Sequence, residues 1–185
     1  ALYEAPVELE IIDPVTVKAI TVLASGGKSP VATAEYEKAE LIEAIKPLKA
    51  ATGLQAFMIP GSFTSVSSLE AGSDVQVVKQ IELPKEQPAQ FGMIFQGMIQ
   101  VPADGIYTFY TTSDDGSTLS VAGQVVVDND GLHGPQEASG QIALKAGYHT
   151  FEVKYFEGGG GEGLTVEIKR DGFARSTIGA NLLYH

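Results

Sequence analysis

Glycine (21 residues) and proline (9) recur at short intervals along the 185-residue chain. Between them lie short runs rich in β-branched and aromatic residues, which is the punctuation of an all-β protein. The pattern predicts strands at Val7–Ile12, Thr16–Leu23, Val31–Tyr36, Val75–Leu83, Gly92–Val101 and Ile106–Thr112. Further strands are predicted at Thr118–Val121, Gln124–Val127, Gln141–Leu144, Tyr148–Phe156 and Leu164–Lys169. In Tyr148–Phe156, the residues His149, Phe151, Val153 and Tyr155 alternate onto one face that reads as buried. The same alternation gives a candidate core of Phe95, Ile99, Tyr107, Phe109, Leu119, Val121, Val125, Val127, Leu144, Phe151, Val153, Tyr155, Leu164 and Ile168. One segment departs from the pattern. Lys38–Lys46 is rich in helix formers, with Leu41, Ile42 and Ile45 on one helical face and Pro47 as a stop. It predicts a short helix in a linker over 38–52, between a small β segment at 1–37 and an antiparallel β-sandwich at 53–185. Three strands cannot close a sandwich, so the first segment is expected to be the tail of a larger domain.

The net charge of −11 argues against nucleic acid and anionic membrane surfaces as partners, because no Lys/Arg cluster supplies the counter-charge. No apolar run reaches the ~18 residues of a membrane span. Ala1–Pro6 has neither the basic start nor the apolar core of a signal peptide. The absence of cysteine removes thiolate chemistry. Neutral hydroxyl-rich ligands and cations stay open.

Several motifs fall short. Ser25-Gly26-Gly27-Lys28-Ser29 ends like a phosphate loop, but Val22 stands where that pattern needs glycine, so it reads as a hairpin turn. Asp128-Asn129-Asp130-Gly131 imitates part of a calcium loop between strands, not helices, and reads as an Asx turn. His133, His149 and His185 have no metal-ligand spacing. Glu152, Glu157, Glu162 and Glu167 read as solvated carboxylates. No nucleophile–base constellation is visible, which speaks against a self-contained enzyme.

An ordered series of motifs is more specific. Val101-Pro102-Ala103-Asp104-Gly105-Ile106-Tyr107-Thr108-Phe109 leads into Ser113-Asp114-Asp115-Gly116-Ser117-Thr118-Leu119. Ala122–Gly134 follows, then Ser139-Gly140, Leu144–His149 and Val153-Lys154-Tyr155-Phe156-Glu157. Residues 53–185 thereby resemble the protective-antigen-type (PA-fourteen) domain, a β-sandwich found in glycosidases, fungal adhesins and bacterial toxins. The strand that carries a tryptophan in many relatives has none here, and Phe91 and Phe95 are the expected replacements. Residues 1–37 resemble the second half of the chitobiase-type C-terminal domain of bacterial β-hexosaminidases.

The first resemblance implies a non-catalytic carbohydrate-binding or accessory module from an exported glycoside hydrolase. Its implied partners are a glycan or oligosaccharide and a neighbouring catalytic domain, and its setting is extracellular, periplasmic or at the cell surface. A ligand-free interaction or spacer domain is the alternative. In sugar-binding members, two successive aspartates joined by a cis bond form the floor of a Ca2+-assisted site, and an Asn from a later loop joins them. Asp114 and Asp115 match the pair, and Glu157 stands near the Asn position. The glycine loop Gly158, Gly159, Gly160 and Gly161 is implied as the approach for the sugar. The aspartates therefore carry two open readings: a cation and sugar site, or a pair that stabilises a turn.

Overall fold

The computed structural model describes residues 13–185, which divide into two units, one up to Glu40 and one from Leu41 to His185. The expected strand Val7–Ile12 lies outside the described residues. In the first unit, β1 (Val15–Ala19) and β2 (Ala32–Tyr36) pair antiparallel. Their connection contains a tight turn in which Gly26, at φ 86°, donates its N–H to the Leu23 carbonyl. The Ser25–Ser29 run is thus a turn, as its glycines suggested.

The second unit contains β3 (Leu54–Pro60), β4 (Gln76–Val78), β5 (Phe91–Val101), β6 (Gly105–Asp114), β7 (Ser117–Val121) and β8 (Gln124–Asn129). It continues with β9 (Gln136–Leu144), β10 (Gly147–Glu157), β11 (Gly163–Arg170), β12 (Ser176–Thr177) and β13 (Leu183–Tyr184). The larger sheet runs β4-β3-β5-β10-β7-β8, with β13 also on β5, and the smaller runs β12-β11-β6-β9. Every pairing between these strands is antiparallel.

The two sheets pack face to face around one apolar cluster, which is the sandwich expected from alternation. Phe109 of the smaller sheet meets Phe151 of the larger at 6.4 Å between ring centroids. Phe91 and Phe95 are fully buried, and Phe91 packs edge-on against Tyr155. A smaller cluster of Phe57, Val66, Leu69, Ile94 and Phe156 forms a second core.

The strand expected at Val75–Leu83 shrinks to Gln76–Val78, and three further expectations need correction. Lys38–Lys46 is not helical. Ile42 instead donates its N–H to the Ala143 carbonyl and accepts from the Lys145 N–H, while the Ile45 N–H bonds Tyr148. A nine-residue helix is marginal alone, whereas the extended chain finds backbone partners at the β9–β10 connection and packs Ile42 on the core. Val125 is 64% exposed, not buried. A bulge between β7 and β8 places Val125 opposite Ser120 and Val127 opposite Leu119, so only Val127 faces inward. Leu164 is half-buried at the core's margin. The other predicted core residues are buried.

Candidate functional site

The polarity of the core changes along the strands. On β6 the inward positions run Tyr107, Phe109, Thr111, Ser113, all buried. The last two join a hydrogen-bonded group with Ser117 and Asn129: Ser113 to Ser117 at 2.8 Å, Ser117 to Thr111 at 3.1 Å, and Asn129 Nδ2 to Ser113 at 3.0 Å. Buried hydroxyls and amides persist where each has a partner. This group lies beneath the end of the sandwich where β6 and β10 terminate in carboxylates.

Asp114, Asp115 and Glu157 converge there. One carboxylate oxygen from each lies within 4.8 Å of the others. The Asp114–Asp115 peptide bond is cis. Asp115 and Glu157 are buried, and Asp114 is half-buried. The three differ in what already holds them. Asp115 Oδ1 accepts the His133 N–H at 2.9 Å, and Oδ2 accepts the Gly158 N–H at 2.9 Å. Glu157 Oε1 accepts the Gly159 N–H at 2.7 Å, and Oε2 lies 3.2 Å from the Tyr155 hydroxyl. That hydroxyl also donates to the Asp114 carbonyl at 2.6 Å. Among the described residues, no hydrogen bond reaches the Asp114 carboxylate.

Electrostatics follow from this crowding. Burial raises the Glu157 carboxyl above its ordinary range, and the neighbouring Asp115 and Asp114 charges add to the rise. Its hydrogen bonds to Gly159 and Tyr155 act the other way but do not prevail. Burial and the Glu157 charge together push the Tyr155 phenol well up. His133 sits at the rim. Burial acts to lower its imidazole, but bonds to the Asn129 and Gly134 carbonyls, with the Asp115 and Asp114 charges, raise it. Both ring nitrogens face carbonyl oxygens, at 2.8 and 3.0 Å, which only the doubly protonated ring satisfies.

Gly158 and Gly159 of the glycine loop turn their N–H groups onto Asp115 and Glu157. A Cβ on Gly158 would stand 2.5 Å from Leu132 Cδ2 and 3.1 Å from Asp115 Oδ2. The nearest atom is the end of the exposed Leu132 side chain, which can give way, so the contact disfavours a larger residue without forbidding it. Gly159 and Gly160 have φ of 129° and 124°, so they turn the chain. A Cβ on Gly116 would meet Phe156 at 2.5 Å and the Gly131 backbone at 2.7 Å, so close approach fixes that residue.

Ser65 and Leu132 at this end carried no separate signal, and Asp130 was read only as part of an Asx turn. Asp130 accepts from Ser65 Oγ at 2.6 Å and from the Val66 N–H at 2.9 Å, which ties the 61–69 loop to the 128–134 loop. Asp130 also receives the Gly131 N–H, and its own N–H bonds Asp128, so the Asx-turn reading holds. Leu132, 60% exposed, gives the rim an apolar shoulder. Of the four evenly spaced glutamates, only Glu157 enters the site. Glu152 lies beside Lys154, Glu162 accepts from Gln87, and Glu167 bonds Arg175.

A family model for the PA14 domain matches residues 58–181, well over half of the chain. The chain belongs to the PA14 domain family. Solved structures agree on the fold of this PA14 domain. An anti-sigma factor domain-containing protein from Clostridium clariflavum matches with a TM-score of 0.62 at 22% identity, over 72% of this chain and 47% of its own. The chain thus spans about half the length of that relative. A structure described as the PA14 sugar-binding domain from an RTX adhesin matches at 0.61 and 19% identity, over 72% of this chain and 98% of its own. The epithelial adhesin 6 A domain of Candida glabrata, solved with Galb1-3GlcNAc, matches at 0.59 and 10% identity, over 75% and 88%. No curated protein matches the sequence. Among the described residues, no helix is long and apolar enough to cross a membrane.

The donor set of the PA14 domain suits a hard cation. All three side chains offer carboxylate oxygens, and each Asp115 and Glu157 oxygen that accepts one hydrogen bond keeps a second lone pair. Asp114, Asp115 and Glu157 are the residues that would hold Ca2+. When bound, such an ion supplies charge neutralisation and coordination positions for ligand hydroxyls.

Proposed function

We propose that this PA14 domain is a non-catalytic glycan-binding module whose site is the Asp114, Asp115 and Glu157 end of the sandwich. The observation that carries this reading is the convergence of three carboxylates, one of which, Asp114, is held by no hydrogen bond among the described residues. Three acidic groups at this spacing repel unless one is protonated or a cation lies between them. Ca2+ relieves the repulsion, and a sugar's vicinal hydroxyls complete its shell while the Leu132 shoulder offers an apolar contact. Affinity is expected in the micromolar-to-millimolar range, since a shallow polar site exchanges one set of hydrogen bonds for another. Placement beside a catalytic domain in an exported glycoside hydrolase is the wider setting we infer. The presence of sugar-binding adhesin domains among the structural neighbours supports the glycan reading.

A ligand-free spacer has one observation in its favour. Both Asp115 oxygens already accept backbone N–H groups, as a turn-stabilising pair would. Thermal denaturation separates the two. Millimolar CaCl2 is expected to raise the melting temperature relative to EDTA, and Asp114→Ala to remove that rise without lowering the melting temperature in EDTA. No response to Ca2+ in the wild type leaves the spacer reading.

A further inference from the structure

Away from the carboxylate end, the outer face of the larger sheet carries a line of polar side chains. The register sets Gln55 against Gln96, Gln96 against Glu152, and Glu152 against Ser120. Four side chains from β3, β5, β10 and β7 therefore stand abreast. With strands about 4.8 Å apart, the line is about 14 Å long. It floors a shallow groove of about 430 Å³ that also takes in Thr150, Gly97 and Gly123. All four side chains are half-buried, and Gln96 Nε2 donates to Gln55 Oε1 at 3.3 Å. Glu152 is the one charged residue in that lining, and Lys154, outside the lining, places its Nζ 3.9 Å from Glu152 Oε1, which offsets part of that charge. Alternation puts Tyr148 on the same face, where its ring meets Tyr184 edge-on at 5.1 Å. The outer face of the smaller sheet differs. There Arg175 stacks on Tyr110 at 3.9 Å and bonds both Glu137 and Glu167, so its charges are already engaged within the chain.

We propose that this groove is a second glycan site, which takes an uncharged, extended oligosaccharide or polysaccharide laid across the strands. The chemistry selects that occupant. Two amides and two hydroxyls each donate and accept, and Glu152 accepts, which matches a ligand carrying many hydroxyls. The lining's single charge is negative, which offers nothing to a polyanion. A peptide strand seeks an open backbone edge, and β5 and β10 at the groove floor are paired on both sides. The Tyr148–Tyr184 pair lies four residues along β10 from Glu152, about 14 Å to the side of the line, and is not part of this site. Glu152 is five residues from Glu157 along β10, about 17 Å, so this site stands apart from the carboxylate end and needs no cation.

The test is affinity electrophoresis of the intact chain in EDTA, through gels holding barley β-glucan, glucomannan, galactomannan or polygalacturonate. At least one neutral polymer is expected to retard the wild type, and Gln96→Ala/Glu152→Ala to weaken that retardation at least tenfold. No retardation by any neutral polymer, retardation by polygalacturonate alone, or an unaltered double variant overturns the proposal. Should the double variant fail to fold, the wild type decides by NMR. The side-chain amide signals of Gln55 and Gln96 shift on titration with oligosaccharides of the retarding polymer, and unmoved signals overturn the site.

Discussion

Glu157 is the residue where burial and charge conflict most. A carboxyl raised in the folded state opposes folding once ionised. The penalty is fully present above its folded pKa and disappears as pH falls toward the ordinary value of 4.5. Glu157→Gln is therefore expected to melt higher than the wild type at pH 7 in EDTA, with the gap closing as the pH falls to about 4.5. The same variant keeps an amide oxygen as a ligand, so its Ca2+ response is expected to weaken but persist. His133 follows the opposite sign. A histidine raised in the folded state stabilises below its unfolded pKa, and that contribution is lost as pH rises through the folded one. An NMR titration of the His133 ring is expected to give a midpoint above the ordinary 6.5, falling back toward it in Asp115→Asn. A midpoint at or below 6.5 contradicts the contacts assigned to the ring.

At the scale of elements, the β7–β8 hairpin has one local conflict. Ala122 and Gly123 both have positive φ, 52° and 76°, as a two-residue hairpin turn of this hand requires. Alanine is poorly suited to that region, whereas asparagine tolerates it. Ala122→Asn is expected to raise stability by about 0.5–1 kcal/mol, read from denaturant unfolding. The bond pair at Asp130 ties two loops together, so Asp130→Ala is expected to cost about 1–3 kcal/mol. In that variant hydrogen exchange should quicken at Val66, with β5 and β10 unchanged. These elements also mark what the sequence disclosed. Strands with one buried face, such as β6 and β10, were legible by alternation. β3 was not, because Leu54 and Ala56 face the main core while Phe57 faces the second one, which erases the period of two. The bulge that exposes Val125 leaves no trace in composition. Lys38–Lys46 shows local propensity yielding to tertiary backbone pairing. At the site, Asp114, Asp115 and Glu157 were legible because an ordered motif series carries them. Asp130 and Ser65 were not, since they meet across 65 positions and each alone reads as an ordinary loop residue.

For the molecule as a whole, the core from Leu54 to Leu183 belongs to the second unit. A chain beginning at Leu41 is therefore expected to fold by itself with a cooperative melt. The sandwich grades from aromatic packing around Phe109 and Phe151, through buried hydroxyls at Thr111 and Ser113, to carboxylates at one end. That gradient sets the carboxylates of the proposed site on a rigid frame. The most direct measurement is a glycan array probed with the wild type and with Asp114→Ala, each in Ca2+ and in EDTA. A set of glycans bound by the wild type in Ca2+, and lost both in EDTA and on Asp114→Ala, is the predicted result. An array on which no glycan signal depends on either Ca2+ or Asp114 contradicts the account.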